Sequence, residues 1–119
     1  MNRWEVYWAD VPFEEDPSQI KRRPVIIARD NTVYVLTLRV TSHEAREYDP
    51  YDYPLQEWQH ANLTTASVVR IRKISQLRPD NIHEYIGKLH PVDILGIQNC
   101  MQRFIAERNR RRKSENDGI

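Results

Sequence analysis

Residues 90 to 113, HPVDILGIQNCMQRFIAERNRRRK, carry the one sustained three-to-four apolar periodicity in the chain. Ile94, Ile97, Met101, Phe104 and Ile105 fall on one helical face. Pro91 suits the first helical position, Asp93 the positive end of the helix dipole, and the closing arginines its negative end. The tail SENDGI, residues 114 to 119, is predicted to fray as a flexible end. A lone amphipathic helix has to bury its apolar stripe against something else, and what precedes it reads as β.

WEVYWADV alternates Trp4, Val6 and Trp8 against Glu5 and Tyr7, as a half-exposed strand does. PVIIA is a short continuous apolar run that opens on proline, which a first strand position tolerates. Asp30 and Asn31 separate it from TVYVLTLRVT and signal a hairpin. SVVRI and KISQL predict either one long bent strand or a pair with a tight corner. RPDNIHEYIG predicts about one helical turn and then a short extended piece. Five or so short strands and a terminal helix describe a mainly β fold with α: a small SH3-like barrel with a C-terminal amphipathic helix. Two connections, 12–23 and 43–62, are long enough to suggest function.

At 119 residues, 39% hydrophobic and 29% charged, the chain predicts one folded domain over residues 1–113. No apolar run reaches the roughly 20 residues that span a bilayer, and MNRWEVYW does not read as a secretion signal. Lone Cys100 fits a reducing cytoplasm. The four histidines and the cysteine show no metal-ligand spacing, so neither a metal nor another cofactor is expected.

Net charge is only +1, yet the charge is segregated. RNRRRK (108–113) holds five cations, and EAREYDPYDYPLQE (44–57) holds five acids against one arginine. A polyanion would therefore meet a local patch rather than a global field. Lys21, Arg22 and Arg23 crowd the residues just before Pro24. They read either as surface cations paired with Glu14, Glu15 or Asp16, or as an anion site.

EVYWADVPFEEDPSQIKRRPVIIARDN resembles the opening of MazF/PemK-type toxins, with an aromatic–acid strand, a variable loop and an Arg-Pro before the second strand. VLTLRVTSH is similar to that family's third strand with its Thr-Ser end. NLTTASVVRIRKISQL, IGKL and HPVDILGI follow the family's later order. The resemblance implies a CcdB/PemK-type barrel and a homodimeric, metal-independent endoribonuclease toxin of a type II toxin–antitoxin pair. Such a toxin cuts single-stranded RNA, mRNA included, at short sequences and is silenced by a cognate antitoxin. The family's active-site arginine falls on Arg23 and its threonine on Thr41. A guanidinium held by the rigid strand after Pro24 suits the charge that builds on a phosphoryl group under 2′-hydroxyl attack.

One departure stands out. Relatives often carry an acid and an amide where VRIRKISQL places Arg72 and Lys73, so no carboxylate base transfers. His43 has a suitable ordinary pKa, Ser42 is an alternate hydroxyl, and Asp10, Glu14 and Glu15 are distant acids. Lys21, Arg22, Arg70, Arg72 and Lys73 are RNA-contact candidates, or simply solvated cations. Tyr48, Tyr51, Tyr53 and Trp58 offer stacking surfaces for unpaired bases, or a cover for the barrel's open end. RNRRRK reads as helix decoration, an RNA contact or a handle for an acidic antitoxin tail. The rival functions are a catalytically inactive relative and a protein-target toxin of the gyrase-poisoning, CcdB kind.

Overall fold

Val25, Ile26 and Ile27 are all buried, although neighbouring residues of a strand point to opposite faces, so this sheet is covered on both sides there. The computed structural model describes residues 1–13, 15–42 and 49–117. Its strands are β1 (Glu5–Pro12), β2 (Ile20–Asn31), β3 (Tyr34–Thr41), β4 (Asp52–Pro54), β5 (Val68–Leu77) and β6 (Ile82–Lys88). A 3-10 turn at Pro79–Asn81 precedes β6, and the helix α1 (Pro91–Asp117) follows it. All paired strands are antiparallel, in the order β4-β5-β3-β2-β1-β6. The mainly β class with a terminal helix stands as the sequence predicts. The closed barrel does not: among the described residues β4 and β6 are the two edges of an open sheet.

The buried residues form two cores. Val6, Ile26, Leu38, Val40, Val69 and Ile71 meet Ile97 and Cys100 of α1 in the larger one. Ala9, Val11, Val25 and Leu77, with Ile82 against them, make the smaller one. One strand feeds both cores because its pleat changes hands. The β1–β6 register slips between Val6 and Tyr7 and again before Ala9, so the alternation predicted through Trp8 fails and Trp8 is 39% exposed. A bulge of this kind bends a strand and re-aims its side chains. The same device resolves SVVRI and KISQL into one bent strand: Leu38 pairs with Ile74, whereas the next residue, Arg39, pairs with Arg70.

Smaller differences follow from pairing. The β2–β3 turn is Thr32–Val33, because Asn31 is already paired with Tyr34. β4 lies inside the span read as connection throughout, and it forms because the edge of β5 offers it backbone partners. On α1 the buried face is Ile97 and Cys100, flanked by Ile94, Met101 and Phe104. Ile105 was placed on that face by spacing but is 50% exposed, because the helix has by then run past the core. The helix continues through Asp117, beyond the predicted end at residue 113. Among the described residues no helix is long and apolar enough to cross a membrane.

Asp93 does more than complement the helix dipole. Fully buried in the first turn of α1, its carboxylate accepts hydrogen bonds from Tyr53 Oη at 2.9 Å, Gln56 N at 2.8 Å and Glu57 N at 2.9 Å. Burial, and then the bond to Asp93, push the Tyr53 hydroxyl up to about 12. The Tyr53 ring lies so close to Gly96 that a Cβ there would collide with it.

Asp93→Ala leaves two backbone donors and the Tyr53 hydroxyl without their acceptor and is expected to cost about 2–3 kcal/mol in urea unfolding; an unchanged midpoint would remove Asp93 from this role. Tyr53 keeps its proton in the fold at pH values where the unfolded chain has lost it. Stability should therefore be full below the usual tyrosine pKa of 10.0 and fall as pH rises from there to about 12. Melting curves across that range should show a shallower fall for Tyr53→Phe.

Candidate active site

β2 begins at Ile20, four residues earlier than PVIIA suggested, so Lys21, Arg22 and Arg23 ride on a paired strand rather than a loop. β1 holds them there: Val11 faces Lys21, Asp10 faces Arg22 and Ala9 faces Arg23. On the other side of β2 the ladder to β3 stops at Val25↔Arg39. Pro24, which brings no N–H, is the next residue toward the N-terminus. Carrying the register two residues further would set Arg23 across from Thr41. There the two strands part, and a cavity of about 390 Å³ opens between them.

Arg23, Lys21 and Arg22 line this cavity from β2, and Thr41 and Ser42 from the end of β3. Thr64, Thr65 and Ser67 line the opposite wall, while Trp8, Pro24, Leu63 and Ile86 supply apolar surface. That wall is held in place by backbone. Asn62 adopts a left-handed φ of 64°, and its Nδ2 donates to the Ile86 carbonyl at 3.0 Å. A Cβ at Gly87 would strike the Ala61 carbonyl, so glycine is what lets the wall close onto β6. Leu55 N donates to the Ser67 carbonyl at 2.9 Å, and Ser67 Oγ donates to the Thr65 carbonyl at 2.8 Å.

Arg23 is partly buried. Burial, then the charges of Arg39 and Arg70, pull its guanidinium pKa below the ordinary arginine value. Arg39 and Arg70 face each other across β3 and β5. Nε of Arg23 and Nε of Arg39 are buried and find no hydrogen-bond partner among the described residues. Asp52 is the Cα partner of Arg70 on β4, yet its Oδ2 is also without a partner among the described residues. Like charges on neighbouring strands repel one another, and an anion bound beside Arg23 would relieve that repulsion.

The remaining candidates separate. Arg22 Nε donates to Asp10 at 3.4 Å, and Asp10 also meets His83 Nε2 at 2.8 Å. The His83 bond comes first among the causes that hold Asp10 below the usual carboxylate range. Arg72 turns away from the cavity: its Nε donates to Asp49 at 3.2 Å, and its guanidinium lies over the Tyr51 and Phe104 rings. Lys73 lines a separate cleft with Arg39 and Arg72. His43, Glu14 and Tyr48 lie outside the described residues.

Stacking of bases on Tyr51 and Tyr53 is corrected by their burial. Tyr51 is 5% exposed, packs edge-on against Phe104 and donates its hydroxyl to Glu107. Tyr53 is partly buried and committed to Asp93. Both rings, with Trp58, pack against the main core, which outweighs the acidic surroundings that made the segment look like loop.

Sequence reasoning passed over Arg39 and the hydroxyls of Thr64, Thr65 and Ser67. A charge in the middle of VLTLRVT, where strand alternation is otherwise apolar, was the available signal for Arg39. NLTTAS shows the hydroxyls, but nothing local says that they face β2.

Both the sequence and the fold match those of known proteins. A family model described as PemK-like, MazF-like toxin of type II toxin-antitoxin system matches residues 2–105. The fold is similar to that of an endoribonuclease in complex with its cognate antitoxin from Mycobacterial species, at 19% identity and a TM-score of 0.67, covering 89% of this chain and 95% of that one. It is similar to MazE-MazF (Form-II) from Deinococcus radiodurans at 13% identity and TM-score 0.63, covering 88% and 94%. It also resembles the Mycobacterium tuberculosis toxin MazF-mt6 at 15% identity and TM-score 0.59, covering 82% and 93%. No curated protein matches the chain significantly.

If the arginine cluster is an anion site, inorganic phosphate should raise the melting temperature, by roughly 5 °C at ten times its dissociation constant. Arg23→Gln should abolish that rise while leaving the phosphate-free protein no less stable, since it removes one of three repelling charges. An equal phosphate shift in both proteins would show that the anion binds elsewhere.

Proposed function

The chain belongs to the PemK-like, MazF-like toxin family of type II toxin–antitoxin systems, and on that premise we propose that it is a metal-independent endoribonuclease that cuts single-stranded RNA. The observation that carries this reading is one cavity lined by both Arg23 and Thr41, with Arg39 and Arg70 adding positive charge beside Arg23. The scissile phosphate sits between β2 and β3. The 2′-hydroxyl oxygen attacks the adjacent phosphorus, the bond to the 5′-oxygen breaks, and the products are a 2′,3′-cyclic phosphate and a 5′-hydroxyl. Negative charge grows on the non-bridging oxygens as the fifth bond forms. Arg23 meets it with a fork of N–H donors already in place and already partly desolvated. Thr41 brings a hydroxyl to the same phosphate, with Ser42 next to it.

The proton from the 2′-hydroxyl needs an acceptor. His43 follows Thr41 by two residues, and an imidazole is the side-chain type suited to that task. Lys21 and Arg22 hold neighbouring phosphates at the mouth of the cavity and add affinity rather than rate. A homodimer, regulation by a cognate antitoxin and action on mRNA in the cytoplasm belong to the same proposal.

A second reading, a relative that binds RNA without cutting it, is favoured by one observation. Among the described residues no carboxylate or imidazole lines the cavity.

Incubation with a long single-stranded RNA in EDTA separates the two readings. Cleavage to cyclic phosphate ends supports the nuclease, and binding without cleavage supports the second reading. Arg23→Ala should lower the cleavage rate by roughly 10²–10³ or more, the usual cost of a lost transition-state donor. Thr41→Ala should also lower the rate, and Lys21→Ala should mainly raise the RNA concentration needed. Undiminished cleavage by Arg23→Ala would remove it from the site.

A further inference from the structure

We propose that the basic end of α1 is a second RNA-binding element, which takes hold of the strand where it leaves the cavity across β3 and β5. The proposal rests on the reading that the cavity receives RNA. Among the described residues none past Phe104 joins either core, and the helix continues from residue 105 to Asp117, about 18 Å further. The family match stops at residue 105, so this arm is additional to the shared fold. Residues 108–113 are all exposed. Arg111 pairs with Glu107 at 2.9 Å, whereas Arg108, Arg110, Arg112 and Lys113 make no ion pair among the described residues. At about 100° per residue these cations surround the helix rather than marking one face.

A row of clefts leads from the arm back to the cavity. A cleft of about 200 Å³ between β5 and α1 is lined by Tyr51, Arg72, Phe104, Glu107, Arg108 and Arg111. Arg72 also lines the neighbouring cleft, of about 290 Å³, together with Arg39 and Lys73. Arg39 in turn stands across from Val25, two residues along β2 from Arg23, and adds its charge there. Two acids interrupt this row, and both are engaged. Asp49 accepts from Arg72, and Glu107 accepts from Tyr51 and Arg111.

The chemistry favours RNA over an acidic protein segment. RNRRRK offers no apolar side chain for a protein partner to bury, and such burial is what holds most protein interfaces together. Release of counterions from a polyphosphate needs none. Arginine, four of the five cations here, also matches phosphate with two donors at once. The row ends at the cavity proposed to hold the scissile phosphate, so one polymer with evenly repeated charge fits its whole length.

The test uses non-cleavable 2′-O-methyl RNA, so that binding is read apart from cleavage. Fluorescence anisotropy would compare an oligomer of about 8 nucleotides, within reach of a single groove, with one of about 25. In the full chain carrying Arg108→Gln, Arg110→Gln, Arg112→Gln and Lys113→Gln, affinity for the longer RNA should fall on the order of tenfold, and the salt slope should shrink by about 2–3. Affinity for the shorter RNA should change far less. Arg108→Lys, Arg110→Lys and Arg112→Lys together keep the charge and should keep the long-RNA affinity, which separates charge from any loss of helix. Equal binding of the long RNA by wild type and the Gln variant would overturn the arm while leaving the cavity reading intact. Loss of polyglutamate binding with RNA binding unchanged would overturn it in favour of a protein handle. A wild-type protein that binds neither RNA would overturn both readings.

Discussion

The buried carboxylate of Asp93 is the tie on which the rest of this molecule depends. It stands at the first turn of α1 yet takes its donors from Tyr53, Gln56 and Glu57 on the segment that leaves β4. A charge so buried persists only because three donors surround it. By holding them it joins the helix to the stretch that continues into residues 62–67, the far wall of the cavity. It also sets where α1 starts, and therefore where its basic end emerges beyond the sheet.

Against that frame the cavity follows from a mismatch between strands. β2 is paired to β1 through its cationic start, but its ladder to β3 ends at Val25. The separation places Arg23 and Thr41 on one opening, and the arrangement of Arg39 and Arg70 leaves Arg23 among like charges. Such a cluster is poor structural material, because like charges brought close together repel. The cluster costs stability where β2 and β3 part, and the apolar cores on either side offset that cost.

Much of the fold was legible because period and composition act locally. The helix, the β character of the first two-thirds and the extended piece before α1 all follow from neighbouring residues, whereas pairing with β3 decided between one bent strand and two for SVVRI and KISQL. Arg23 and Thr41 were legible from the ordered resemblance of their flanking stretches, and they line one cavity. Tyr51 and Tyr53 were misplaced because a tyrosine among aspartates looks exposed until a helix is laid across it. Arg39, Thr64, Thr65 and Ser67 were missed because their importance lies in what stands opposite them.

The sequence by itself determined which stretches extend, which one coils, and where charge is concentrated, since each depends on side chains a few residues apart. Tertiary structure alone decided that the sheet stays open, that Asp93 serves a loop as well as a dipole, and that three arginines from three strands share one patch. Those outcomes rest on strand register, and a slip at one bulge, as between Leu38 and Arg39, changes which distant residues meet while leaving every local pattern unaltered.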